Sequence, residues 1–310
     1  MFTIVIPLYN KIRSIAATIE SVLNQTNADF DLIIINDGST DGSERIVSNY
    51  DDNRIRLISR ENRGLCATRN EGIERATNDF VTLLDADDVL DVTFLEKMKQ
   101  LMDRFPNCDV YCSSYDVEKR GKILKRKLHL PFEHSGIIED YYDCQLKNTE
   151  ILVWTCVAVV RKQAFKRAGM YDIGLTRAED FDMWYRIFPE GKLAYLNEPL
   201  AIYGDSDPMR VTVETVINPD PKRDLLFNLD KLKEREDKYP QLKKLLDLCR
   251  LQFLRPYYLE GKNDLEVNAI LEVVDSQSYS LFATLFYKVL PRELLRPAYR
   301  LFKNVKKLVA

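Results

Sequence analysis

The first hundred residues alternate short apolar runs with segments of helical spacing, and that alternation leaves few folds open. Phe2 to Pro7, Leu32 to Ile35, Ile55 to Ile58 and Phe80 to Leu84 read as strands. Helical spacing over Ser14 to Leu23, Ser43 to Tyr50 and Cys66 to Ala76 separates them. Apolar runs without strict alternation mark strands covered on both faces, so the pattern predicts an α/β fold built on a mainly parallel sheet with helices on both faces. Ligands of such sheets bind beyond the carboxyl ends of the strands. Three polar segments follow three of these strands: Pro7-Leu8-Tyr9-Asn10, Asn36 to Ser43, and Asp85-Ala86-Asp87-Asp88.

Further along, the spacing predicts a helix near Thr93 to Phe105, a strand at Val110 to Ser114 and a hairpin turn at Arg120-Gly121-Lys122. A buried strand over Ile151 to Val160, a short helix over Lys162 to Ala168 and an amphipathic helix over Glu179 to Phe188 follow. Asn218-Pro219-Asp220-Pro221 is a strong breaker. The expected organisation is therefore a domain over 1–217 and a helical extension over 218–310, with long charged helices at Arg223 to Tyr239 and Gln241 to Leu254.

Composition excludes several classes. A net charge of -3 over 310 residues argues against nucleic acid as the main partner. Six cysteines lie scattered, with no C-x-x-C pair and only His129 and His134 in the chain, which weighs against zinc and against a Ser-His-Asp scheme. There is no P-loop and no G-x-G-x-x-G after the first strand. No apolar run approaches the roughly 20 residues that span a bilayer. The opening residues pass straight into an apolar strand, which predicts a cytoplasmic protein without a secretory leader. Leu281 to Ala310 carries seven Lys or Arg against one Glu, alternating with pairs of apolar residues. That segment fits either a peripheral contact with an anionic membrane surface or a packed helix pair with a solvated basic face.

Three groups of residues can carry chemistry. Asp85, Asp87 and Asp88 crowd like charges at a strand end, a suitable place for a hard divalent cation that carries a diphosphate; equally, Asp88 or Asp91 can cap the next helix. Asp37 can accept from a base or ribose, or simply tie its own loop. Arg69, one turn into the third helix, can bind phosphate or pair with a nearby acid. At the entrance of the helix over 179–188, Asp180 can act as a general base with Trp184 one turn below it. The alternative there is helix capping over a core tryptophan.

Together these segments resemble family 2 of the inverting nucleotide-sugar glycosyltransferases, which have the Rossmann-like GT-A fold. The carriers are Val5-Ile6-Pro7-Leu8-Tyr9-Asn10, the Asn36 to Ser43 loop, Asn62 to Gly72, Leu84-Asp85-Ala86-Asp87-Asp88, and Ala178-Glu179-Asp180-Phe181-Asp182-Met183-Trp184. The resemblance implies that Pro7, Tyr9, Asp37, Arg69, Asp85, Ala86 and Asp88 bind the nucleotide sugar and that Asp87 ligates Mn²⁺ or Mg²⁺. It makes Asp180 the catalytic base and puts Glu179 and Trp184 on the acceptor side. The implied substrates are a nucleoside-diphosphate sugar, UDP-sugar first, and a glycan or lipid-linked acceptor of bacterial surface-polysaccharide synthesis. The chain departs from larger branches in lacking Gln-x-x-Arg-Trp and in carrying Tyr203-Gly204-Asp205-Ser206 where a donor-closing loop stands, which leaves Arg210 as a candidate to cover the diphosphate. Two other readings remain, a nucleotidyltransferase and a non-catalytic nucleotide-sugar-binding scaffold.

Overall fold

The computed structural model describes residues 1–119, 122–148, 150–204, 220–261, 263–297 and 299. The chain divides into two compact units, Met1–Pro208 and Met209–Ala310. The boundary expected at 217/218 and the candidate Arg210 lie outside the described residues.

In the first unit β1 (Phe2–Leu8), α1 (Ile15–Leu23), β2 (Phe30–Asp37), α2 (Ser43–Ser48), β3 (Ile55–Arg60), α3 (Leu65–Arg75) and β4 (Phe80–Leu83) follow the predicted alternation. Next come β5 (Val89–Leu90), α4 (Phe94–Arg104), β6 (Val110–Lys119), β7 (Lys122–Leu124), β8 (Ser135–Ile138) and α5 (Tyr141–Leu146). The unit continues with β9 (Ala158–Arg161), α6 (Lys162–Ala168), α7 (Glu179–Ile187) and β10 (Leu193–Gly204). One sheet holds them in the order β3-β2-β1-β4-β9-β6-β10-β5, with β7 on β6 and β8 on β10. The half β3-β2-β1-β4 is parallel, Ile4 lying opposite Leu32 on one side and Thr82 on the other. Beyond it, β9 runs antiparallel between β4 and β6.

Burial explains the parallel half. Ile4, Val5, Ile6, Leu32, Ile34, Ile35 and Val81 are all buried, as expected of strands with helices on both faces. Helix α3 lies so close over β1 that a Cβ on Gly72 would overlap the Val5 side chain. That approach brings the side chains of α3 down toward the strand ends.

Two segments differ from the sequence expectation. The apolar run from Ile151 is not one strand: a 3-10 turn at Thr155–Val157 precedes the short β9. Residues 152, 153 and 155–160 are buried throughout, so apolar content alone could not distinguish turn from strand. In the second unit, the helix expected from Arg223 breaks into 3-10 turns at Pro221–Arg223, Leu225–Phe227 and Leu229–Leu232, then α8 (Lys233–Lys238). The Asp224 carboxylate accepts from the Leu226 amide and the Asn228 amide donates to the carbonyls of Lys222 and Asp224, bonds that compete with a helix ladder. Helices α9 (Pro240–Phe253), α10 (Arg255–Glu260), α11 (Asp264–Glu272) and α12 (Leu281–Thr284) complete that unit. No helix among the described residues is long and apolar enough to cross a membrane.

Candidate active site

Because β1, β2 and β4 are parallel, their carboxyl ends share one rim, and the loops there are tied to one another. Asn10 takes a left-handed conformation (φ 53°), its amide N–H donates to the Ser39 hydroxyl at 3.1 Å, and its side-chain oxygen accepts from the Thr40 amide at 2.8 Å. The Ser14 hydroxyl donates to the Ala86 carbonyl at 2.8 Å, and the Lys11 ammonium pairs with Asp87 at 2.7 Å. Pro7 is buried in β1, whereas Tyr9 is 51% exposed at the rim. Asp37 is buried; its carboxylate accepts from the amides of Arg63 and Gly64 at 2.8 and 2.9 Å and pairs with Arg60 at 2.6 Å. Those bonds tie the loop after β3 to the end of β2.

The centre of the rim is Arg69, only 1% exposed. Its guanidinium donates to Asp180 at 2.7 Å, Glu179 at 3.3 Å and Asp85 at 3.0 Å, and it lies 5.4 Å from the Tyr171 ring centroid. A planar fork of donors suits such multiple pairing better than a point charge. The same helix holds the loop that leads into α7. The Asn70 side chain brackets the Tyr171 backbone through two bonds of 2.8 Å, and the Cys66 thiol donates to the Leu175 carbonyl at 3.4 Å. Ala178 then enters the left-handed region (φ 59°) just before Glu179 and Asp180 open α7. A strained non-glycine residue at this point is held by its surroundings, as such residues are at functional sites.

Three carboxylates therefore share one guanidinium. Burial pushes the Asp180 carboxyl up to about 7, with Glu179 and Asp85 adding to the rise against the opposing pull of Arg69. Burial likewise pushes the Cys66 thiol up to about 12, leaving it inert at neutral pH.

On the β4 side, Asp85, Asp88 and Cys156 each offer a ligand atom within 4.8 Å of the others. The Cys156 thiol donates to Asp88 at 2.7 Å, and its sulfur lies 3.5 Å from the Asp85 amide nitrogen. Burial and the two carboxylates push that thiol well above its ordinary range, so it stands as a proton-bearing neighbour of Asp88. Two carboxylate oxygens on this scale suit a hard cation such as Mg²⁺ or Mn²⁺, which completes its shell with phosphate and water. Asp87, the residue expected to ligate the metal, is not in this group and faces Lys11.

Trp184 does not offer a platform in this structure: it is 1% exposed and packs beside Phe188. Met183 and Trp184 face the core because the apolar stripe of α7 points inward. The aromatic nearer the rim is Trp154. It is half-buried, precedes the turn that carries Thr155 and Cys156, and meets the Tyr203 ring edge-on at 4.6 Å. Thr155 is close enough to Asp180 to influence its titration. Cys156 and Trp154 carried no signal in the sequence, since both sit in a run that reads as ordinary apolar packing, and Tyr171 lies in the loop after α6, where residue type singles out no position.

The parallel half-sheet, the acidic β4 loop at its rim and the acidic start of α7 make the first unit a GT-A fold. The chain belongs to glycosyl transferase family 2, whose profile matches residues 3–169. It is similar to the uncharacterized glycosyltransferase RP339 of Rickettsia prowazekii, 27% identical over 64% of this chain and 62% of that protein. It is also similar to TuaG of Bacillus subtilis, provisionally named a teichuronic acid biosynthesis glycosyltransferase, at 32% identity over 66% of this chain and 78% of that one. Among solved structures, S. aureus TarS 1-349 in complex with UDP-GlcNAc superposes with a TM-score of 0.74 over 96% of this chain and 91% of that chain. At 15% identity this is a likeness of fold. The chain thus spans under two thirds of the length of the Rickettsia relative.

Proposed function

We propose that this protein transfers a sugar, with inversion, from a nucleoside-diphosphate sugar to an acceptor hydroxyl. The observation that carries the reading is Arg69. By pairing with Asp85 on one side and Asp180 on the other, it makes one site of two acidic clusters far apart in sequence. A donor-binding half and a proton-accepting half in contact are what a single displacement requires. A UDP-sugar is the favoured donor, since the fold neighbour TarS is described with UDP-GlcNAc. The favoured acceptor is a glycan or lipid-linked hydroxyl of bacterial surface-polysaccharide synthesis, reached in the cytoplasm at the inner face of the plasma membrane.

Asp180 would accept the proton of the attacking hydroxyl. An ordinary aspartate is a weak base, whereas one lifted to about 7 matches the working pH. Arg69, which Asp180 shares with Glu179, would hold its carboxylate in place, and Pro7, Tyr9 and Asp37 would line the base. Mn²⁺ or Mg²⁺ would be held by Asp85 and Asp88, with Asp87 joining when Lys11 releases it. Such a cation would neutralise charge on the departing diphosphate, so that the leaving group would need no acid from the protein. Half-buried Trp154 is the better candidate for an acceptor platform than Trp184, which is fully buried.

A nucleotidyltransferase has no need of Asp180, and a scaffold needs neither cluster. The deciding experiment incubates the protein with UDP-GlcNAc, other UDP-sugars, GDP-sugars and dTDP-sugars, with and without Mn²⁺, and follows thermal shift and nucleoside diphosphate release. Release that disappears in Asp180→Asn while the donor-induced shift persists supports the proposal. Absence of both shift and release with every donor sinks it, and release unaffected by Asp180→Asn removes the base.

A further inference from the structure

One corner of the first unit is basic and aromatic. Strand β7 and the residues after it read Lys122-Ile123-Leu124-Lys125-Arg126-Lys127, and no acid follows before Glu133. Lys122, Lys125 and Lys127 are exposed and have no ion-pair partner among the described residues. Glu118 lies opposite Ile123 in the ladder and Glu150 is held by Arg126, so the lysines remain in excess. Exposed lysines alone would be an ordinary solvated face. Arg126 is different, because its side chain is only 3% exposed. Its Nε donates to Glu150 at 2.8 Å and its Nη2 to the Ile151 carbonyl, and its guanidinium carbon lies 3.8 Å from the centroid of the Tyr115 ring. Nη1 is buried and meets no acceptor. The indole Nε1 of Trp154, whose ring stands 5.7 Å from that of Tyr115, is likewise buried without a partner. Two unsatisfied donors thus flank one aromatic ring. Buried donors are normally satisfied, so this pair points to acceptor atoms that a ligand brings.

The corner adjoins the reacting group, since Trp154 immediately precedes Thr155, the neighbour of Asp180. The rim beside it is acidic, with Asp85, Glu179 and Asp180 sharing the one charge of Arg69. A negatively charged acceptor would be repelled by that rim and drawn to the lysines, which fixes the direction in which it lies. We propose that the acceptor is an anionic glycan. One of its sugar rings lies on Trp154 and accepts from the indole N–H, while carboxylate or phosphate groups farther along meet Arg126, Lys125 and Lys127. A guanidinium fork suits either oxyanion, and a neutral chain would leave it unsatisfied. The inference rests on the transferase reading above and names its acceptor class.

The test measures binding of the full chain, without donor, to four oligomers of equal length: an oligogalacturonate, a mannan oligomer bearing phosphates, neutral dextran and inorganic polyphosphate. The change in Trp154 emission reads occupancy, Trp184 being buried. At least one of the two charged glycans should bind about tenfold or more tightly than dextran and polyphosphate, with affinity falling as salt rises. Which of them binds separates carboxylate from phosphate. Lys125→Glu with Lys127→Glu should weaken that binding by about tenfold, two exposed pairs becoming two repulsions. Arg126→Gln should remove the preference over dextran. Melting curves show whether each variant is folded, and the lysine pair keeps the test decisive if Arg126→Gln is not. Equal affinity for charged glycans and dextran, binding of none, polyphosphate bound as tightly as both glycans, or affinity unchanged in the lysine variant overturns the proposal. If that happens with the donor-induced thermal shift and nucleoside diphosphate release intact, only the charged acceptor is lost. If the donor shift is absent too, the transferase reading falls with it.

Discussion

Replacing Asp180 with Asn should abolish transfer and, above pH 7, make the protein more stable. Asp85, Glu179 and Asp180 surround one guanidinium, so the cluster carries a net charge of about -2 when all three acids are ionised. The carboxyl is held at about 7 against an ordinary value of 3.8. The folded state therefore binds the proton more tightly than the unfolded chain, and stability falls as pH rises from about 4 to about 7. Taken at face value, that rise costs about 4 kcal/mol once Asp180 is ionised. With 28% of the side chain exposed, solvent screening brings the figure to about 2–4 kcal/mol. Asn keeps the shape and removes the charge. The variant should melt several degrees higher at pH 8, at about 2–4 °C per kcal/mol for a domain of this size, and the gain should fall to less than half by pH 5 and vanish below about pH 4. Its turnover should fall by about 10²–10⁴, the usual worth of a general base. Thermal melts at pH 5, 6, 7 and 8, paired with donor turnover, read both effects. A variant less stable than wild type at pH 8, or one as active as wild type, refutes the reasoning.

Other perturbations separate the remaining parts of the site. Mn²⁺ affinity, followed by electron paramagnetic resonance, should weaken about 10–100-fold in Asp88→Asn; a loss confined to Asp87→Asn would instead assign the ion to Asp87 and make Lys11 its gate. Gly72→Ala should destabilise the first unit by about 1–3 kcal/mol through overpacking against Val5, and Val5→Ala in the same chain should recover part of the loss. With two tryptophans in the chain, acrylamide should quench Trp154 and spare Trp184, so Trp154→Phe should remove the quenchable emission. Trp154→Ala should also raise the acceptor KM while leaving the donor-induced thermal shift in place.

Much of this was legible because strand patterning and position at a strand end are local properties. The runs around Ile4 and Ile33 had to be buried, whereas β3 at the sheet edge stays partly exposed, and the polar loops after these strands had to share a rim once the strands were parallel. Asp85 and Asp180 could be named for the same reason. Their contact could not, since it depends on Arg69 reaching from α3 to both, and no spacing rule links residues 69, 85 and 180. The 151–160 run shows the complementary limit. Its apolar character correctly forecast burial, yet the sheet uses β9 antiparallel and spends Thr155 and Cys156 on a turn against the acidic loop. Hydrophobicity reports which residues are inside, and it is silent on direction and on which buried sulfur touches a carboxylate.

Charge at the rim leads to one more expectation. Asp85, Glu179 and Asp180 exceed the single charge of Arg69, Asp88 adds another acid beside them, and Lys11 is already paired with Asp87. A diphosphate brought to this surface alone meets an excess of like charge in a partly desolvated cleft, where repulsion is stronger than in water. A divalent cation held where Asp85 and Asp88 come together would offset most of that excess. The affinity for UDP-GlcNAc, measured by calorimetry, should therefore fall by at least about tenfold when Mn²⁺ is chelated, a difference of about 1.4 kcal/mol. Arg69→Met should not rescue metal-free binding, because it deepens the negative excess. Equal affinity with and without the ion would mean that cations outside this cluster neutralise the diphosphate, and that the acidic pair on β4 serves to hold Arg69 rather than the donor.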